Sequence, residues 1–234
     1  MEDNKRRNVH TGLTTSNLSG NSLARDPLLK DQAYARLKEL IKTGEAPSGT
    51  FFSEKRLSSL LGMSKTPIRA ALERLEAEGF VTTSPRQGAV VRGLSLKEVV
   101  DLFDLRFALE TFVVRHLAGR LNEPQARRLR ENLEAQLLCA ETGDVDRYTQ
   151  LDTDFHVAIC DCFGNQEIVR IMWHLKDKLY LVILNVMRQN PTRMETSTEE
   201  HSKVVDELID GDGERAAAAM LKHLEYGKQF LLSR

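Results

Sequence analysis

Asp152 and His156 stand four residues apart, the spacing that puts two side chains on one face of an α-helix, beside an apolar stripe of Leu151, Phe155 and Ile159. His201 is spaced three and four residues from Val204 and Val205, and His223 three from Met220, so both point toward a packed interior. One carboxylate and three imidazoles admit two readings: a metal site, closed or with positions open to water or ligand, or histidines satisfied within a core. His116 and His174 are read only as core histidines, and His10 lies in a polar N-terminal stretch. Arg106 is flanked by Val99, Phe103, Leu109 and Val113 at helical spacing, which places its guanidinium against the interior, where it needs an anion. Glu110, four residues on, supplies one internally; the alternative is a carboxylate ligand gripped by Arg106. Asn185, on the helix carrying Leu181 and Leu184, is expected to face inward, as a pocket residue or a helix-packing one.

A second constellation is suited to nucleic acid. Leu57-Ser-Ser-Leu-Leu-Gly62-Met-Ser64 places a glycine in an inter-helix turn and a capping serine at the start of the following helix. Lys65, Thr66 and Arg69 then occupy its first turns, off the Ile68/Leu72/Leu75 stripe, where a helix-turn-helix reads base edges in the major groove. Lys55 and Arg56 on the preceding helix, with Arg86 and Gly88 at a hairpin tip, suit phosphates or the minor groove. The competing reading is a set of ordinary solvated charges, since Glu73, Glu76 and Glu78 share the second helix.

The elements that must position these residues follow from periodicity and breakers. The chain has 234 residues, 33 Lys+Arg against 34 Asp+Glu, and three Cys, which excludes collagenous, disulfide-stapled and fully disordered classes. Cys139, Cys160 and Cys162 are expected to pack as small apolar side chains. With no run of about 18 apolar residues and no basic-then-apolar leader, a soluble cytoplasmic protein without membrane contact is expected. The net charge of −1 hides three balances: +1 over residues 1–26, +4 over 27–92 and −6 over 93–234. Residues 1–26, rich in Asn, Thr, Ser and Gly, read as a disordered arm. Residues 27–92 read as three helices and a hairpin, with Phe80–Thr83 and Ala89–Arg92 as strands around Pro85–Gly88, which makes a winged helix. From 93 to 234 the periodicity is helical throughout, with helices over 95–120, 123–142, 144–163, 165–189, 194–210 and 212–232. The fold class is therefore mainly α: an N-terminal winged helix-turn-helix and a C-terminal all-α antiparallel bundle.

Residues 28–92 carry Ile41-Lys-Thr-Gly44, Pro47-Ser-Gly49-Thr, Leu61-Gly-Met-Ser-Lys-Thr-Pro-Ile-Arg69, Glu78-Gly79-Phe80-Val81 and Arg86-Gln-Gly88-Ala-Val-Val91. This stretch resembles the winged helix of the GntR-family regulators. The resemblance implies that Lys55, Ser64, Lys65, Thr66 and Arg69 contact DNA and that Gly88 lets the wing backbone approach a groove. Two positions depart from it: Lys65 stands where Arg is common and Ala70 where Glu is common, and lysine lacks the fork that arginine presents to guanine. Downstream, Asp104-Leu-Arg106-x-x-x-Glu110, Asp152-Thr-Asp-Phe-His156, Gly164-Asn165, Glu200-His201 and Met220-Leu-Lys-His223-Leu resemble the FCD effector domain of the FadR subfamily. That resemblance implies a metal held by Asp152, His156, His201 and His223, with Zn or Ni favoured by imidazole and Mn conceivable, and an effector carboxylate held by Arg106. Six helices rather than seven look like the VanR type; the acyl-CoA-binding branch lacks this cluster.

Together these readings describe a homodimeric transcription regulator, a repressor, that binds a double-stranded DNA operator and responds to a small carboxylate. The rival from another class is a metal-dependent enzyme acting on a small organic acid, for which no nucleophile and base accompany the cluster. A third reading keeps the regulator and makes the metal purely structural.

Overall fold

The computed structural model describes residues 28–85 and 87–233. The arm proposed for residues 1–26, Arg86 and its presumed DNA contact lie outside them. Among the described residues, α1 (Leu29–Lys42), β1 (Phe51–Ser53), α2 (Glu54–Leu61), α3 (Lys65–Ala77), β2 (Val81–Ser84) and β3 (Gly88–Val91) form the head. The bundle is α4 (Leu96–Leu117), α5 (Glu123–Thr142), α6 (Val145–Phe163), α7 (Gln166–Gln189), α8 (Arg193–Asp210) and α9 (Gly213–Leu232). None of these helices is long and apolar enough to cross a membrane.

Local chemistry explains most boundaries. Ser53 accepts the amide hydrogen of Arg56 and starts α2, and Gly62 ends it with φ +64°. Ser95 and Glu98 close a reciprocal capping box at α4, Asn122 and Gln125 another at α5, and Asp144, Asn165 and Asp212 cap α6, α7 and α9. Ser64 precedes α3 in extended backbone, but its side chain makes no capping bond.

Strand β1 was not anticipated. Three residues carry no readable alternation; what makes them a strand is antiparallel pairing with β3, Phe52 opposite Ala89 and Ser53 opposite Gly88, in a sheet of order β1-β3-β2. This pairing gives Gly88 a structural role. It is buried in the sheet, and a Cβ there would lie 1.8 Å from the Phe52 carbonyl oxygen, so the lack of a side chain is what admits the backbone of β1. His116 and His174 are likewise exposed, not core, the first bonded through Nδ1 to the Phe112 carbonyl. Cys139 and Cys160 are buried and Cys162 half-buried, all as free thiols.

The head has its own core, built on Leu37, Leu57, Ile68, Leu75 and Ala89, against which Leu181 of α7 packs from the bundle. In the bundle, α4 lies closely on α9: a Cβ on Gly213 would meet the Arg115 carbonyl oxygen at 2.3 Å. Polar clamps join head to bundle. Lys38 on α1 binds Glu78, at the end of α3, at 2.8 Å and Asp177 of α7 at 2.5 Å; Lys42 reaches Asp177 at 3.4 Å. Tyr34 donates to Glu78 at 2.7 Å. Burial alone would push the carboxyls of Asp177 and Glu78 up, but the bonds from Lys38 outweigh it and hold both below the usual range. Depressed carboxylate pKa values contribute stability above the unfolded value, about pH 4, and lose it as pH falls through the folded one. Amide exchange in α1 should therefore accelerate below about pH 4 before the bundle unfolds, and Asp177→Ala should reproduce that loosening at neutral pH; equal protection of α1 in both proteins would contradict the clamp.

Candidate functional site

The four residues of the candidate metal cluster come together. Asp152 and His156 lie one turn apart on α6, His201 comes from α8 and His223 from α9; each offers one ligand atom, and these atoms lie within 4.8 Å of one another. Their exposures are 1%, 2%, 0% and 6%. The Nε2 atoms of His201 and His223 are 3.2 Å apart, and Nε2 of His201 is 3.8 Å from Oδ1 of Asp152.

Three further side chains orient the rings. Glu110 of α4 accepts from Nδ1 of His156 at 2.5 Å, Gln136 of α5 from Nδ1 of His201 at 2.8 Å, and Glu200 of α8 from Nδ1 of His223 at 3.0 Å. The Gln136 amide nitrogen donates to Asn132 at 2.6 Å, which turns its oxygen toward His201. With Nδ1 the donor in every ring, each Nε2 presents a lone pair, and all three converge beside a carboxylate. Among the described residues, Nε2 of His156 and Oδ2 of Asp152 have no hydrogen-bond partner although buried. Burial lowers the pKa of all three imidazoles, which favours the neutral, ligating form. Burial also pushes the Asp152 carboxyl up to about 7, against the opposing pull of Arg106 and Arg193. A convergent set of lone pairs and a carboxylate, sealed from water and oriented from behind, fits a divalent cation.

Arg106 is 1% exposed and donates through Nε to Glu110 at 2.6 Å, so the internal pair forms. Its Nη2 is buried and finds no partner among the described residues. Two small voids, about 20 and 10 Å³, meet at Arg106, Asp152 and Ile183. The first is also lined by Arg193, 4% exposed, which pairs with Glu200 and lies over the Tyr226 ring. Asn185 does not join this pocket: it is exposed on α7 and bonded to Gln189 at 2.7 Å, because the inward face of that turn is taken by Ile183, Leu184, Val186 and Met187. Sequence reasoning did not single out Gln136, Glu200 or Arg193 as supports. Gln136 had a signal, a polar residue on the buried Leu129/Leu133/Gln136 stripe; Arg193 had none beyond its place at the start of α8.

On the head, Lys55, Arg56, Ser64, Lys65, Thr66 and Arg69 are all exposed, while Ile68, Leu72 and Leu75 face the core. Arg69 is not a free donor. Its Nε and Nη2 form a fork onto Glu54, each at 2.8 Å, and the guanidinium holds that buried carboxyl below its usual range. Glu54 thus fixes the orientation in which Arg69 is displayed.

A basic helix-turn-helix with a wing, carried on a helical bundle that encloses a polar pocket, defines a two-domain DNA-binding regulator. Residues 29–91 match the model described as bacterial regulatory proteins, gntR family, and residues 101–226 match the FCD domain. The chain is 31% identical over 170 residues to the gluconate operon transcriptional repressor of Bacillus subtilis, covering 73% of this chain and 68% of that protein. It is 30% identical over 184 residues to a probable D-xylose utilization operon transcriptional repressor of Paenarthrobacter nicotinovorans, covering 79% and 80%. The structure of E. coli McbR/YncC superposes with a TM-score of 0.74, covering 88% of this chain and 98% of that one at 22% identity, a likeness of fold. The chain belongs to the GntR family of bacterial regulatory proteins and carries an FCD domain; it is a transcriptional regulator, not an enzyme.

Arg69→Ala should lower affinity for a specific site on the order of tenfold. Glu54→Ala should retain the salt dependence of binding but lose discrimination among bases next to Arg69, as scored by anisotropy on a set of single-base variants; unchanged discrimination would show that Glu54 serves the head's folding only.

Proposed function

We propose that the protein is a homodimeric repressor of the cytoplasm that binds a double-stranded operator through Lys55, Arg56, Ser64, Lys65, Thr66 and Arg69, and is released by a small carboxylate acid. The observation that carries this reading is the sealed polar cluster, with three Nε2 atoms aimed at one point and Nη2 of Arg106 unpaired beside them. Asp152, His156, His201 and His223 would hold the ion, with Zn or Ni preferred for imidazole over Mn; when bound, it supplies a Lewis-acidic anchor for an oxygen of the effector. Arg106 supplies the paired donor.

Charge balance narrows the effector. Arg106 offsets Glu110 and Arg193 offsets Glu200, while Asp152 offsets one charge of a divalent ion with neutral imidazoles. One positive charge is left in a site walled from water, and a single carboxylate closes it. A monocarboxylate therefore suits the pocket better than a dicarboxylate.

The route to the head is short. Arg92 bonds the Gly79 carbonyl and Glu98, and α4, which carries Arg106, begins at Leu96. A shift of α4 on effector binding is thereby passed to the end of α3. For the dimer, α4 leaves Leu105 and Phe112, seven residues apart on one face, each 43% exposed, a surface suited to a partner helix. The relatives named as repressors support the sign of the response.

A purely structural ion is the second reading, favoured by the small size of the two voids. The two separate by fluorescence anisotropy on DNA fragments flanking the protein's own gene, at fixed salt, with zinc-loaded and chelated protein and a panel of acetate, lactate, gluconate and succinate. Weakening by a monocarboxylate only while zinc is present is expected; chelation that unfolds the bundle, with no acid altering DNA affinity, would make the ion structural. Gln136→Ala, which frees His201, should lower zinc affinity about ten- to a hundredfold by competition with a chromogenic chelator; unchanged affinity would remove His201 from the ligand set.

A further inference from the structure

A larger cavity, about 430 Å³, lies where head and bundle meet, within the usual range for small-molecule sites and at a place such sites favour. Its apolar wall is assembled from both units: Ile41 of α1, Val91 of β3, Leu94 of the connecting segment, Leu181 and Leu184 of α7, and Leu231 of α9. Leu94, Leu181 and Leu231 are only partly buried, so apolar surface is left facing the space. Among the described residues, the cations Lys42, Arg92 and Arg188 also line it and no acidic side chain does. Their counter-charges, Asp177, Glu98 and Asp146, stand outside the lining, and Arg92 and Arg188 keep 39% and 47% of their side-chain surface exposed. Cations of one sign on an apolar wall focus potential and concentrate anions.

We propose that this junction cavity is a second ligand site, distinct from the metal pocket, for an amphipathic anion: a carboxylate with an aliphatic body of roughly drug-fragment size. The tail lies on the leucine and valine wall and the head group meets Arg188, Arg92 and Lys42. Helix α7 separates the two sites, with Val182 and Leu184 lining the junction cavity and Leu179 and Ile183 lining the smaller void beside Asp152. A ligand seated here touches α1, β3, the connecting segment and the bundle at once, so it favours this arrangement of head on bundle over any other. It braces the same junction that Lys38 and Asp177 clamp, next to Lys42 of the cavity wall.

The test uses the full chain loaded with zinc, titrated calorimetrically with decanoate, and with decanol and acetate as probes lacking the charge or the tail. Decanoate should bind at least tenfold more tightly than either, and saturating acetate should not displace it. Asn185→Trp, placing an indole in the cavity from an exposed position, and Arg188→Glu, reversing the wall charge, should each weaken decanoate at least tenfold while zinc affinity and thermal midpoint stay unchanged. Decanoate should also slow amide exchange in α1. Equal binding of decanol, displacement by acetate, or undiminished decanoate binding in both folded variants would each overturn the assignment.

Discussion

Burying three neutral imidazoles and a carboxylate at one point is the constraint on which the bundle depends. Each ring is oriented from behind by a different helix: Glu110 from α4, Gln136 from α5 and Glu200 from α8. These bonds satisfy one nitrogen per ring and leave the other with nothing but its neighbours. The charges that support the cluster form short chains, Arg106 to Glu110 to His156 and Arg193 to Glu200 to His223, so no helix of the set can shift without disturbing a ligand. A site built this way is sensitive to one added ion or anion, because in a low-dielectric interior an uncompensated charge costs several kcal/mol.

Helix α7 converts that sensitivity into something the head can feel. Its inward residues, among them Met172, Leu179 and Ile183, wall the polar pocket, while Asp177 and Leu181 hold the head. With α4 it offers two mechanical connections between pocket and α3, one through the chain at Arg92–Leu96 and one through the Lys38 clamp. The reading head is itself preset, since the Glu54 carboxylate fixes the Arg69 fork before any DNA is present.

Helix positions and the acidic and basic division of the chain were legible because they follow from local rules, a period of 3.6, capping residues and glycines after helices, whereas spacing put only Asp152 and His156 on one face and the resemblance to the FCD domain supplied the full set of four candidate ligands. Where a neighbour far away in sequence decides, the local pattern misled. His116 and His174 sit at spacings compatible with a core but face solvent, Asn185 shares a helix with buried leucines yet lies away from the polar pocket, at the junction cavity, and Gly88 is required by the approach of β1.

The sequence by itself determined where the helices run and which residue types are at hand as ligands and cations, since each depends on spacing along one segment. Only the tertiary structure decided which nitrogen of each histidine points inward, that Arg106 has both an internal partner and a nitrogen to spare, that Glu54 holds Arg69, and that head and bundle enclose a cation-lined cavity between them. Each of those outcomes is a meeting of side chains from separate segments, set by how the helices pack, and packing is a property of the whole chain rather than of any window within it.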